Sequence, residues 1–142
     1  MTFSVKTSSF EMQTAGFGDI LDITRQVAKG VSGSGLSDGT ATVFVPGSTA
    51  GITTIEYEPG AVEDLKKAIE RQASANLHYA HDARWGDGNG FSHVRAALMG
   101  ASLTIPFTRG ELQLGTWQQI VLCDFDNRAR KREVLVQAMG VG

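Results

Sequence analysis

Segments that favour β-strands recur along the whole chain, and they constrain its fold more than any other feature. They are rich in β-branched and aromatic residues or alternate apolar with polar side chains, as strands do because successive side chains point to opposite faces of a sheet. The predicted strands cover residues 3–10, 40–45, 52–57, 102–108, 112–114, 117–125 and 133–139. We expect strands 40–45 and 52–57 to be neighbours, and the last four strands to form two hairpins.

Two strand segments carry further information. Pro106 lies within strand 102–108, and proline cannot donate to a strand ladder, so this strand is predicted to be an edge strand or to contain a bulge. The run Ile120-Val121-Leu122-Cys123 is apolar at every position. Such density is typical of the centre of a sheet.

Three helices are predicted between the strands. The first begins behind the caps Asp19 and Asp22, and Gly30 with the glycines and serines after it is expected to end it. Its apolar face consists of Ile20, Ile23, Val27 and Val31. The second helix opens at Pro59-Gly60, with acidic residues in its first turn and basic ones later, as the helix dipole prefers.

The third helix is short and follows a long polar stretch. Ser92 is its predicted cap, His93 its first residue, and Gly100 its end. Residues 78–90 before it are predicted to form a loop. A long irregular loop in a compact domain is more often functional than idle, because most connections are a handful of residues long.

The length indicates one domain over residues 1–142, and its helical and strand segments together indicate the α+β class. The 13 basic and 15 acidic residues give a net charge of −2, so no basic field attracts nucleic acid or anionic lipid over a distance. The single cysteine, Cys123, has no internal partner for a disulfide, and neither an apolar leader nor a run of 18 apolar residues is present. We therefore expect a cytoplasmic protein with no membrane and no nucleic-acid partner.

All three histidines fall within sixteen positions, among acidic and amide side chains. The group consists of His78, His81, His93, Asp82, Asp87 and Asn89. Imidazole nitrogen and carboxylate oxygen are ligands that zinc and other divalent ions accept, so the group predicts a metal site. The spacing matches no standard zinc signature, and the alternative is a set of polar loop residues without a ligand role.

Other candidates lie outside this stretch. Glu56 is the single acidic residue of strand 52–57, where it is either a ligand or general base, or a solvent-exposed side chain. Ser48 and Thr49 sit in a corner of small residues whose amides can bind an anion, or which is merely a tight turn. Thr116 and Gln118 could present a hydroxyl and an amide to a ligand. The basic residues of the 128–132 cluster are read as a solvated hairpin tip.

Three long motifs resemble one family. The stretches GSTAGITTIEYEPG (47–60), YAHDARWGDGNGFSHVRAALMGASLTIPF (79–107) and GELQLGTWQQIVLCDFDNRARKREVLVQ (110–137) are similar to the YjbQ family, whose members are often labelled secondary thiamine-phosphate synthases. The resemblance implies an α+β domain with a mostly antiparallel sandwich or barrel-like sheet, two or three flanking helices, and a homotrimer with sites near subunit contacts.

The resemblance also implies site residues. The family's histidine after the tyrosine falls on His81, its helix-start histidine on His93 and its strand glutamate on Glu56, which are therefore the expected catalytic residues. His81, His93 and Asp87 are the expected metal ligands, and Ser48, Thr49, Asn89, Thr116 and Gln118 the expected contacts to substrate or anion. Many relatives carry a histidine where this chain has Gly47, so we expect a weaker metal affinity here.

Two functions compete. One is a metal-assisted enzyme, using zinc or magnesium, that acts on a small phosphorylated substrate with thiamine-phosphate formation as the named activity. The other is a non-catalytic trimer that binds a metal or small anion as an accessory or regulatory protein, which the absence of a recognisable nucleophile motif favours.

Overall fold

Eight β-strands form two antiparallel sheets in the computed structural model, which describes residues 2–142. The larger sheet has the strand order β1-β8-β3-β5-β6, and the smaller one the order β2-β7-β4. The strands are β1 (Phe3–Thr14), β2 (Asp19–Asp22), β3 (Asp38–Phe44), β4 (Ala50–Ile55), β5 (Ser102–Thr108), β6 (Glu111–Leu112), β7 (Gln119–Asp124) and β8 (Arg130–Val141). The curled sheet resembles half a barrel, and the predicted α+β class is confirmed.

Four helices flank the sheets where two or three were expected. They are α1 (Thr24–Gly33), α2 (Pro59–Gln72), α3 (Ala80–Trp85) and α4 (Gly90–Met99). None of the helices in residues 2–142 has the length and apolar character needed to cross a membrane.

The smaller sheet lies between two hydrophobic cores. On one side, Val27 and Val31 of α1 pack with the inner face of the larger sheet and with Ile120 and Leu122 of β7. On the other side, Val121 and Cys123 of β7 pack beneath α2 and α4. β7 is therefore buried on both faces, which explains its unbroken apolar run.

Two predicted pairings are wrong. Strands 40–45 and 52–57 are not neighbours, because β3 pairs with β5 and β8 while β4 pairs with β7 in the other sheet. Strands 117–125 and 133–139 do not form a hairpin either. The turn after β7 sends β8 into the larger sheet, between β1 and β3, so that each strand has a partner on both sides in its own sheet.

The first helix begins and ends later than predicted. Residues 19–22 form β2, which pairs with β7, and α1 starts at Thr24. The helix continues through Gly30. The lack of a side chain at this position lets α1 approach β1 and β8 closely. A Cβ at position 30 would lie 3.0 Å from the Ser8 hydroxyl and 3.2 Å from Val136.

The region 78–99 differs from its prediction in two ways. The expected loop contains α3, and α4 begins at Gly90, before the predicted cap Ser92. Ser92 is fully buried inside the helix and donates to the Asn89 carbonyl oxygen over 2.6 Å. The prediction for Pro106 holds, since β5 has no partner beyond β3 except where the two-residue β6 pairs with Phe107 and Thr108.

Candidate functional site

The two histidines that the sequence separates by twelve positions lie against each other. His81 is in α3 and His93 is in the first turns of α4, and their ring centroids are 4.4 Å apart with the planes tilted by 38°. Gly90 makes this approach possible, since a Cβ at that position would lie 2.6 Å from the Tyr79 Cβ just before α3. His78 is exposed outside this pair.

Two carboxylates complete a cluster around His81. Its Nδ1 lies 3.2 Å from an Asp87 oxygen and 3.7 Å from an Asp82 oxygen. One candidate ligand atom from each of the three residues lies within 4.8 Å of the others. The Asp82 oxygen also accepts the Gly90 backbone N–H over 2.8 Å, which ties α3 to the start of α4.

Only two buried side-chain polar atoms in residues 2–142 have no hydrogen-bond partner, and both belong to this region. They are His81 Nδ1 and Asn89 Oδ1. Asp87 is near enough to Nδ1, but it lies outside the direction that a hydrogen bond requires, so proximity does not satisfy the nitrogen. Both unpartnered atoms can bind a cation, and leaving such atoms unpaired is costly.

Asn89 is held in place by a buried carboxylate. Its Nδ2 donates to Asp126 over 3.2 Å, which fixes the amide so that the free atom is the oxygen. Asn127, next in sequence to Asp126, donates from its side chain to the Asp87 carbonyl oxygen over 2.8 Å. The predicted anion-binding role of Asn89 is therefore not favoured, because its donor is engaged and an acceptor remains.

Asp126 also binds the corner that precedes β4. Its Oδ2 accepts from the Thr49 hydroxyl over 3.2 Å and from Nε of Arg130 over 2.7 Å. The Thr49 hydroxyl in turn accepts from Arg132 over 2.7 Å. Thr49 is thus fully engaged inside the protein, whereas its neighbour Ser48 is exposed.

The ion pair between Arg132 and Asp124 lies beside the ion pair between Arg130 and Asp126. Arg132 donates to both oxygens of Asp124, over 2.7 and 2.8 Å, and Thr14 donates to the same carboxylate over 2.6 Å. Burial raises the pKa of Asp124, but the hydrogen bonds from Arg132 and Thr14 outweigh it and lower the pKa overall. For Asp126 the same balance between burial and its hydrogen bonds from Arg130 and Asn89 lowers the pKa to about 2.

For the arginines of these two pairs, the prediction of a solvated hairpin tip is wrong. Arg132 is 8% exposed and part of the structure rather than a solvated tip. The signal was present in the period of β8, since Arg132 shares its inward parity with Val134, Val136 and Ala138.

The remaining predicted residues lie at the opposite end of the smaller sheet. Glu56 is exposed just after β4, and Gln118 uses both ends of its amide on Thr54 and on the Gly115 backbone N–H. Thr116 is exposed nearby. β7 runs between the two ends, and its six residues span about 17 Å. Within one chain, Glu56 is therefore not part of the histidine cluster.

The donor set of the histidine cluster suits a divalent metal. A neutral imidazole nitrogen, a carboxylate and an amide oxygen are all accepted ligands, and the unpartnered His81 Nδ1 is the atom such an ion would use. Tyr79, Asp82 and Asn127 hold the segments that carry these side chains.

The family described as "UPF0047 protein YjbQ-like" matches residues 8–141. A UPF0047 protein of Archaeoglobus fulgidus is 36% identical over 128 residues, covering 90% of this chain and 97% of its own length. The UPF0047 protein YugU of Bacillus subtilis is 33% identical over 133 residues, covering 93% and 98%.

Solved structures agree with these relatives. A YbjQ-like protein of unknown function from Sulfolobus solfataricus P2 superposes with a TM-score of 0.93 at 32% identity, covering 98% of this chain and 99% of that one. An uncharacterised protein of the YjbQ/UPF0047 family from Clostridium acetobutylicum gives 0.84 at 37% identity, covering 92% and 98%.

Proposed function

The chain belongs to the UPF0047 family of YjbQ-like proteins, and on that premise we propose that it works through a divalent-metal site. The proposed ligands are His81 through Nδ1, Asp82 and Asp87, whose candidate ligand atoms lie within 4.8 Å of one another, with His93 and Asn89 beside them. The observation that supports this proposal is that His81 Nδ1 is buried without a hydrogen-bond partner beside two carboxylates. Zinc fits the imidazole nitrogen better than magnesium, which prefers oxygen ligands and water.

The proposed activity is transfer on a small phosphorylated substrate, of the thiamine-phosphate synthase type. When bound, the metal would act as a Lewis acid and stabilise the negative charge that develops on a departing pyrophosphate. The His93 ring, packed on His81 at 4.4 Å, is placed to move a proton beside that site.

A non-catalytic metal-binding trimer is the second candidate. It is favoured by the state of the chain's only thiol. Burial raises the pKa of Cys123 to about 12, so this cysteine is not a nucleophile. A thiol this inert is also consistent with the reducing cytoplasmic setting that we propose for the protein.

Assembly bears on both candidates. We propose a homotrimer in which the Glu56 end of one copy approaches the histidine cluster of another. The support is the distance between these two ends within one copy, about 17 Å along β7, together with the central rows of the larger sheet's outer face, which carry no charge.

Zinc titration of the metal-free protein tests the site. We expect His81→Ala to weaken binding by at least about tenfold, which is the loss that even outer-shell partners of a metal cause. His78→Ala is the matched control, since His78 is exposed on the same segment. Zinc at 100 times its Kd should also stabilise the wild-type fold by about 2.7 kcal/mol.

Equal zinc binding by wild type and His81→Ala would reject the site. Turnover of a small phosphorylated substrate then distinguishes the proposed enzyme from the non-catalytic metal-binding protein. An enzyme should lose activity in His93→Ala while keeping its assembly and melting temperature, whereas turnover that survives in both histidine variants would leave only the binding protein.

A further inference from the structure

Gly47 leaves one nitrogen of a buried arginine open to the surface. A Cβ at position 47 would lie 3.2 Å from Nη1 of Arg132, and since a Cα–Cβ bond is about 1.5 Å long, the Gly47 Cα lies within about 4.7 Å of that nitrogen. No hydrogen bond among residues 2–142 uses Nη1, while Nε and Nη2 are both engaged. Nη1 is not fully enclosed, and the Arg132 side chain keeps 9% of its surface exposed.

Gly47 and the two residues after it carry further free donors. The Ser48 side chain is exposed and makes no hydrogen bond within the described chain. The backbone N–H groups of Gly47, Ser48 and Thr49 donate to no backbone or side-chain acceptor there either. Backbone amides and a guanidinium nitrogen that make no hydrogen bond within the described chain are donors that an anion can use.

The arginine is held rigidly in its position. Asp124 accepts from Nε and Nη2, and Thr49 accepts a second hydrogen from Nη2, so the guanidinium cannot turn away. Because Asp124 occupies the forked edge, a carboxylate ligand cannot form the usual bidentate pair with Arg132. A tetrahedral oxyanion, which accepts one hydrogen bond from each of several directions, fits the remaining donors better.

We infer that Arg132 Nη1, the Ser48 hydroxyl and the amides of the Gly47–Thr49 corner form a binding subsite for a phosphate-type oxyanion. The subsite connects to the metal cluster through three hydrogen bonds in series, from Arg132 to Thr49, from Thr49 to Asp126 and from Asn89 to Asp126. It deepens the proposed function by naming what holds the anionic group of the substrate, and rests on that proposal only for the claim that both sites serve one ligand.

Inorganic phosphate titrated into the metal-free protein, with chelator present, tests the subsite without the metal. In ¹H–¹⁵N spectra we expect the amides of Gly47, Ser48 and Thr49 to shift with one binding curve. Gly47→Ala should weaken phosphate binding by about tenfold, because its methyl group sits against Nη1 and a charge-assisted hydrogen bond is worth about 1.5 kcal/mol or more.

Gly35→Ala is the matched control. Gly47 has a φ of +128° and Gly35 one of +73°, but nothing lies within 4 Å of the Gly35 Cβ position, so this variant carries backbone strain without blocking a donor. It should bind phosphate like the wild type. Zinc affinity should be unchanged in Gly47→Ala, which separates this subsite from the metal site.

Two results would overturn the inference. One is a wild-type spectrum in which phosphate shifts none of the amides of Gly47, Ser48 and Thr49. This result needs no variant, so it holds even if Gly47→Ala does not fold. The other is acetate binding more tightly than phosphate at the corner.

Discussion

Asp126 is the residue on which the candidate site depends most. It is fully buried, and it receives hydrogen bonds from Asn89, Thr49 and Arg130, which belong to three separate segments of the chain. A neutral side chain at this position could not accept from all of them. Asp126 is therefore a positioning residue, which sets the orientation of the Asn89 amide.

The charge of Asp126 makes a testable contribution to stability. Its pKa falls from 3.8 to about 2, a shift that corresponds to about 2 kcal/mol. Since the folded-state pKa is the lower one, this stabilisation is fully present above about pH 4 and is lost as the pH falls towards 2. Asp126→Asn should thus be less stable than wild type by at least about 2 kcal/mol at pH 7, and the difference should shrink below pH 4.

Urea unfolding of both proteins across this pH range measures the difference. Asp64→Asn provides the control, since Asp64 is exposed on α2 and forms no ion pair in the described chain. A stability gap between wild type and Asp126→Asn that stays constant from pH 7 to pH 2.5 would contradict the assignment.

At the scale of elements, the junction of α3 and α4 creates the site. Gly90 has the Tyr79 Cβ within 2.6 Å of its own Cβ position, so any side chain there must push the two helices apart. The Asp82 carboxylate, which accepts the Gly90 N–H, closes the same junction.

Gly90→Ala should therefore separate His81 from His93. We expect a loss of about 1–3 kcal/mol in the free energy of unfolding, the usual cost of overpacking, together with weaker zinc binding. Gly33→Ala on α1 is the control, because nothing lies within 4 Å of its Cβ position. Thermal unfolding and zinc titration check both effects, and unchanged zinc affinity in Gly90→Ala would show that the junction does not form the site.

The elements that could be predicted from the sequence were those with a local signal. α2 was found from its Pro59 start and apolar face, and β5 from its alternation. β2 was mistaken for a helix start because its short Asp-Ile-Leu-Asp run is also typical of a capped helix, and only pairing with β7 distinguishes the two. Strand order depends on contacts between distant segments, which local patterns do not encode.

The same limit applied to the site. The clustering of His81, Asp87 and His93 could be predicted, because they are close in sequence and the family resemblance joins them. The separation of Glu56 from that cluster could not, since it follows from which end of β7 each segment meets. The buried pairing of Arg132 with Asp124 likewise requires knowing that β7 and β8 lie in different sheets.

At the scale of the whole molecule, the outer face of the larger sheet is uncovered. Its central rows carry no charge, and they place Val5, Met139 and Phe44 beside polar threonines and a glutamine. Val5 is 51% exposed and Phe44 is 39% exposed. Large apolar side chains exposed on an uncovered sheet face make that face a candidate for a protein contact.

We expect this face to hold the proposed trimer together. Leu135→Lys, at the centre of the face, should shift the protein from trimer towards monomer, because a buried lysine without a partner is strongly disfavoured. Sedimentation velocity measures the change, with Lys67→Glu on the exposed side of α2 as control. Wild-type protein that sediments as a monomer at every concentration would remove the trimer and, with it, the shared site.

The central strand of the smaller sheet has a consequence for how this protein tolerates change. Each residue of β7 from Ile120 to Cys123 is enclosed, and the two cores take alternate side chains from it. A substitution that changes side-chain volume in one core shifts the β7 backbone, against which the other core packs. Substitutions should therefore be tolerated least along this one strand. Changes in the helices that carry the histidines should be tolerated only where they leave the ends of β7 in place.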